Sequence, residues 1–223
     1  MLYSLPSAAP LGDKFIDGVA WPADKATLVF AFPEKEAGSG KPVKDMVSRK
    51  KYVCCLTYMA DKKMIPKSKA GGNSFELTLE PFKDPAEHRR SEMAACRKYF
   101  LEPFKNYLTP AIKAEMKEYY SSTLPKAQGI TVRKNRKIVS MLTLYKVAKD
   151  SSHKPLHWIT WLWADPGLPK AERRAAHALL RGWLRKNSLK YIGASVHAAN
   201  VKSQSWFLKS GFRPTRIAFT RRA

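Results

Sequence analysis

Acidic residues are scarce in this chain. Only 18 Asp and Glu stand against 41 Lys and Arg in 223 residues, a formal charge of +23. A field of that sign repels cationic small molecules and attracts polyanions. It argues against polyamines and aminoglycosides as substrates. Cysteine is also sparse. Cys54, Cys55 and Cys96 are an odd number with one adjacent pair, which gives neither a disulfide framework nor a CxxC metal site. A reducing, cytoplasmic setting is expected. No apolar run approaches 18 residues, so no membrane helix and no membrane partner are expected. The opening stretch, MLYSLPSAAPLGDKF, lacks the basic start and long apolar run of a secretory signal. Five scattered His and three Cys show no metal-ligand spacing.

What remains is globular in character, with 44% hydrophobic and 11% aromatic residues. The charge is skewed toward one end. Residues 151–223 carry fourteen Lys and Arg against Asp165 and Glu172. Either this is a solvated basic surface, or it meets a nucleic acid, an acidic protein or a phosphorylated ligand.

The first 73 residues read as an extension. Residues 1–25 look irregular, 26–32 (ATLVFAF) and 51–60 (KYVCCLTYMA) look like strands, and 34–48 and 62–73 look like mobile or basic loops. The pattern changes near Ser74. Residues 75–82 (FELTLEPF) alternate as a strand does. Asp84-Pro85 starts a helix with an N-cap and a Pro at its first position. Ala94, Cys96, Tyr99, Phe100 and Phe104 form its apolar stripe, with Pro103 ending or kinking it. A second helix follows Pro110. Residues 129–134 and 137–148 pair as a hairpin across Asn135-Arg136. Strand 157–164, helix 170–186, strand 191–197, helix 200–210 and strand 213–220 complete the order. The fold class is α/β (mixed α+β) with one sheet, and the domains are 1–73 and 74–223. Trp158, Trp161 and Trp163 share one strand; they fill core, or at least one walls a ligand slot.

A strand leading into a helix with Lys170, Arg173 and Arg174 in its first turns suits a phosphate-bearing ligand, because amides and cations converge there. The element order, together with Val196, Asn200, Ser203, Gly211 and Phe212 in the tail, resembles the GNAT-type N-acetyltransferase superfamily over about 150 residues. That resemblance implies a central mixed sheet with flanking helices and acetyl-CoA or a related acyl-CoA as cofactor. It places the acyl carrier along Leu162 and Trp163, with its diphosphate at Lys170, Arg173, Arg174, Ala175 and Ala176. Asn200 then touches the acyl carrier or simply caps its helix. The chain departs from the family pattern at Arg174, where a glycine is usual, and at Phe207, where a proton-donating Tyr is usual.

Acyl transfer to an amine needs a base, a donor to the carbonyl and a proton for the thiolate. The candidate bases are His197, Asp165 and His157, each with a structural alternative as a loop or turn residue. His177 reads as packing. The charge favours an amine on a macromolecule associated with polyanions, such as tRNA or protein, and is compatible with a toxin-like or virus-encoded host-directed enzyme. The competing class is a non-catalytic module on the same scaffold that binds nucleic acid or inhibits a partner.

Overall fold

A computed structural model describes residues 2–4, 13–20, 27–32, 51–67, 75–82, 84–102, 110–147 and 155–221. The expected loop 34–48 and the Pro103-Phe104 pair lie outside those residues, as does the second half of loop 62–73. The structure is mixed α+β, as the sequence predicts, and the chain forms two compact units.

The first unit comprises Met1–Ala60 with Gly193–Ala223. Its strands are β1 (Leu2–Ser4), β2 (Thr27–Ala31), β3 (Tyr52–Asp61), β8 (Tyr191–His197) and β9 (Arg213–Arg221). They stand in the order β1-β2-β9-β3-β8. β1 runs parallel to β2, and β9 lies antiparallel to both β2 and β3. The two strands expected in the N-terminal extension thus flank the last strand of the chain. β1 and the short helix α1 (Asp13–Asp17) depart from the irregular reading of residues 1–25. Both are too short to leave a periodic signal. Between β8 and β9 lies α5 (Val201–Lys209), and Leu28, Phe30, Leu56, Phe212, Ile217 and Phe219 fill the unit's core.

The second unit, Asp61–Ile192, is a meander of four antiparallel strands with helices packed on it. β4 (Leu77–Pro81) pairs with β5 (Gln128–Lys134), β5 with β6 (Lys137–Val147), and β6 with β7 (Leu156–Ala164). The β5–β6 turn is tight because Asn135 and Arg136 both adopt positive φ, at 49° and 65°. That is the backbone a two-residue hairpin needs, which glycine adopts more cheaply. α4 (Lys170–Asn187) buries Ala176, Leu180 and Leu184 completely, one helical stripe at four-residue spacing. Its Arg185 reaches the carbonyls of Lys63 and Ile65 at 2.7 and 2.6 Å.

α2 (Pro85–Cys96) starts as expected, with the Asp84 carboxylate accepting from the amides of Ala86 and Glu87. Its buried face differs from the expected stripe. Ala94 is exposed, and the helix instead buries His88, Glu92, Ala95 and Cys96. α2 and α3 (Pro110–Glu118) each end in a wide π-helical turn, Arg97–Leu101 and Tyr119–Thr123.

Gly129 on β5 makes room for this helix. A Cβ there would lie 2.5 Å from Phe82 and 2.6 Å from His88, whose rings stack at 4.3 Å. Gly129→Ala should lower the unfolding free energy by about 1–3 kcal/mol, the range for overpacking. Urea denaturation would show it, and an unchanged midpoint would contradict the packing described.

Candidate functional site

β7 changes character along its length. Leu156, His157 and Ile159 are buried, whereas every residue from Thr160 to Ala164 is half-buried. The switch falls at a register shift against β6: Thr143 faces Trp161 and Leu144 faces Ile159, so Thr160 is the extra residue of a bulge. Trp158, Trp161 and Trp163 are therefore not the filled core that three Trp in one strand suggest; all are half-buried. Trp163 packs against Tyr99 with ring centroids 5.3 Å apart, and its carbonyl accepts from the Ser140 hydroxyl at 2.6 Å. Leu162 lies opposite Leu142.

The turn from β7 into α4 is built by Asp165. Its carboxylate accepts from the Gly167 amide at 2.9 Å, and its own amide donates to the Val139 carbonyl. α4 then begins after Pro169 with no side-chain cap on its first-turn amides. Lys170 and Arg174 are exposed, and Ala175 is half-buried. Arg173 donates to the Pro166 carbonyl at 3.1 Å. Glu172, the acid of this first turn, is held by Lys134 at 2.8 Å. Cationic side chains and free amide hydrogens thus share one helix end, where a phosphate is favoured.

His157 lies at the other end of β7, roughly 20 Å from Trp163 by the rise of a strand. Its Nδ1 accepts from the Leu189 amide at 3.0 Å. Burial, then Lys146 and Lys62, lower its pKa. It ties β7 to the end of α4 and does not join the other candidates of this unit.

In the first unit His197 is buried at the end of β8, and its Nδ1 accepts from the Ala199 amide at 3.2 Å. The Asn200 amide donates to the His197 carbonyl, and the Asn200 side chain accepts from the Ser203 amide, so Asn200 is the N-cap of α5. Phe207 is buried in an aromatic cluster. It stacks on Tyr58 at 5.6 Å and meets Phe212 edge-on at 5.0 Å. The Tyr58 hydroxyl donates to Gln204, and burial raises its pKa.

A group not anticipated from the sequence lies under α2. Glu92 has no solvent exposure. Its Oε2 accepts from the Thr143 hydroxyl at 2.5 Å and lies 3.3 Å from His88 Nε2. Its Oε1 accepts from the Tyr119 hydroxyl at 2.7 Å, and that hydroxyl lies 2.9 Å from Thr160 Oγ1 at the bulge. Burial and the nearby Glu92 raise the Tyr119 pKa. Burial and a hydrogen bond with Cys96 raise that of Tyr120. The signal in the sequence is the spacing His88, Glu92, Cys96 on one helix face, with Thr143 and Thr160 in two strands rich in apolar residues. Among the described residues no three His, Cys, Asp or Glu cluster as metal ligands, and no helix is long and apolar enough to cross a membrane.

No family model matches the chain, and no curated protein matches it. Solved structures that it resembles include GNAT acetyltransferases. One is a GCN5-related N-acetyltransferase from Kribbella flavida, at 8% identity and TM-score 0.48, covering 88% of this chain and 68% of that one. Another is a GCN5-related N-acetyltransferase from Sphaerobacter thermophilus, at 12% and 0.49, covering 88% and 59%. A functionally unknown conserved protein from Staphylococcus epidermidis stands beside them at 10% and 0.48, covering 88% and 72%. With TM-scores below 0.5 these likenesses carry no functional conclusion, which must rest on the residues of this chain.

His177, half-buried in α4, has a pKa lowered to about 4 by burial, then Arg181 and Arg173. Its folded pKa lies below its unfolded value near 6.5. The stability this neutral ring contributes is therefore full above pH 6.5 and is lost as pH falls toward 4. Thermal melts across that window should show a falling midpoint in the protein and a shallower fall in His177→Gln.

Proposed function

We propose that this protein is a divergent GNAT-type N-acyltransferase that uses acetyl-CoA or a related acyl-CoA. The observation that carries the reading is the run from the bulge at Thr160 to Arg174. A half-buried strip, Trp161-Leu162-Trp163, leads directly into a helix start with no side-chain cap and with exposed Lys170 and Arg174. An apolar strip suits the pantetheine arm. Uncapped amides and two cations suit a diphosphate.

Arg174 stands where a glycine would let the backbone approach the phosphate closely. Its guanidinium offers charge and paired donors in place of that approach. Ala175 and Ala176 keep the helix start small. Asp165, held in its turn, and His197, at the end of β8, are the candidate bases; His157 is committed to Leu189. Phe207 cannot protonate a leaving thiolate, and the low pKa of a thiol, about 8.5, lets the sulfur leave without that help. Asn200 orders the loop after β8 as a helix cap.

For the acceptor, the net charge of +23 favours an amine on a macromolecule held among phosphates, such as tRNA or a nucleic-acid-bound protein. Such contacts weaken steeply with salt. A second reading is favoured by Arg174 and by Phe207 locked in its aromatic cluster: a basic module on this scaffold that binds nucleic acid without catalysis.

Titration calorimetry with acetyl-CoA separates the two. The enzyme reading expects saturable heat, and Arg174→Glu should weaken binding about tenfold, the scale of one lost charge-assisted bond. No heat at near-millimolar acetyl-CoA, with salt-sensitive retention of tRNA on a filter, would leave the binding module.

A further inference from the structure

A cleft of about 690 Å³ lies in the second unit, among the start of α2, the end of α4 and the start of β5. That volume is in the range of small-molecule sites. None of its lining residues is acidic, and Arg89 is one of them. The acids next to them in sequence are engaged elsewhere. Asp84 caps α2 and meets Arg90, and Glu80 and Glu87 meet Arg133. In a chain of +23 the cleft suits an anionic guest and rejects a cation. Phe82, Tyr120 and Trp183 give it aromatic walls. Its polar groups are held in place. His88 is 5% exposed, and Gly129 leaves room for its ring to stack on Phe82. His88 Nε2 lies 3.0 Å from Thr143 Oγ1 and 3.3 Å from Glu92 Oε2, and Thr143 gives its own hydrogen to Glu92. Nε2 therefore carries the ring hydrogen, and Nδ1 is an acceptor. Among the described residues nothing donates to that Nδ1. Asn187 Nδ2 donates to the Trp183 carbonyl at 2.9 Å, which fixes Asn187 Oδ1 as a second acceptor. A buried acceptor without a donor is costly, and a ligand N–H would satisfy it.

We propose that this cleft binds an unstacked nucleobase, with the attached phosphate at Arg89. A base is planar, carries N–H donors on its edge and brings a phosphate. One guest thus meets the three features of the cleft: ring surface for stacking, acceptors at His88 Nδ1 and Asn187 Oδ1, and a cation. An aromatic acid without an N–H meets the rings and the cation but leaves the acceptors unpaired. A polyamine meets the acceptors but finds no counter-charge. Lys126, flanked in sequence by two lining residues, and Lys186, next to Asn187, are exposed and extend the positive charge beyond the cleft. The cleft is separate from the start of α4. Trp183 lies thirteen residues along the helix from Lys170, roughly 20 Å at 1.5 Å per residue. The proposal stands on the cleft alone and holds whether or not the chain transfers an acyl group.

The test uses the full chain and two probes, cytidine 5′-monophosphate and a short single-stranded oligocytidylate RNA, with titration calorimetry at low salt as the readout. Cytosine is chosen because its amino group suits the two acceptors and because it is no part of acetyl-CoA. Ala86→Trp, at an exposed lining position, should fill the cleft, and Trp183→Leu should remove an aromatic wall. Each is expected to weaken binding by on the order of tenfold, the scale of one lost base stack. Arg89→Glu should weaken it as well and flatten its dependence on salt. Saturating acetyl-CoA should leave it unchanged. A monophosphate that binds with this sensitivity to Ala86→Trp supports the site with a free nucleotide as ligand. RNA that alone binds with that sensitivity supports it with a base held within a strand. Absence of binding of both probes to the wild type would overturn the proposal, as would binding that Ala86→Trp and Trp183→Leu both leave intact. Benzoate competing as well as the monophosphate would overturn the nucleobase assignment, and displacement by acetyl-CoA would move the base to the start of α4. Failure of acetyl-CoA to bind at all bears on the acyltransferase reading alone, so the two failures are distinct.

Discussion

Burial of the Glu92 carboxylate is the constraint on which the second unit depends. Three elements meet it there together: His88 from its own helix at 3.3 Å, and the hydroxyls of Thr143 from β6 and Tyr119 from the π-helical turn after α3, both of which donate to it. Each condition sets another. His88 reaches Thr143 only because Gly129 leaves space for its ring to stack on Phe82. Tyr119 meets Thr160 only because the bulge offers that residue to it. The same bulge marks where β7 turns from a buried strand into a half-buried one, so the packing of α2 and the opening of the strip on β7 share one cause.

Several of the few acids among the described residues pair with cations. Asp17 lies on Lys51 and Tyr52, Arg133 meets Glu80 and Glu87, Asp84 meets Arg90, and Lys134 holds Glu172. With 18 acids against 41 Lys and Arg, such pairing leaves a large surplus of positive charge. Lys134 bears on the proposed anion site. By holding Glu172 it takes up the acid in the first turn of α4, beside Lys170 and Arg174.

The regular elements from residue 84 onward were legible because their boundaries are chemical. Asp84-Pro85 starts α2, Asn135-Arg136 turns the hairpin, Asn200 caps α5, and each acts within a few residues of itself. The candidate site was legible only where the same locality held. Asp165 and Asn200 show their turn and cap roles directly. The polar chain under α2 was not legible, since Glu92 and His88 in a charged segment look like a solvated face. What buries them is Thr143 and Thr160, more than fifty residues away. The Trp-rich strand left two readings open, filled core or the wall of a slot, for the opposite reason. Its composition fits either, and only the bulge, a relation between two strands, marks where its second half becomes half-buried.

The discontinuity of the first unit bears on how the chain is made. β9 lies between β2 and β3, which precede it in the chain by more than 150 residues. Until β9 emerges, each of those strands has a bare hydrogen-bonding edge, with Leu28, Phe30, Leu56 and Tyr58 awaiting burial. The β4–β7 meander, built from neighbours in sequence, can close in the meantime. Between the synthesis of β3 and that of β9 a nascent chain of this protein therefore carries sticky, unpaired strand edges, and with them a need for protection from aggregation that the finished fold no longer shows.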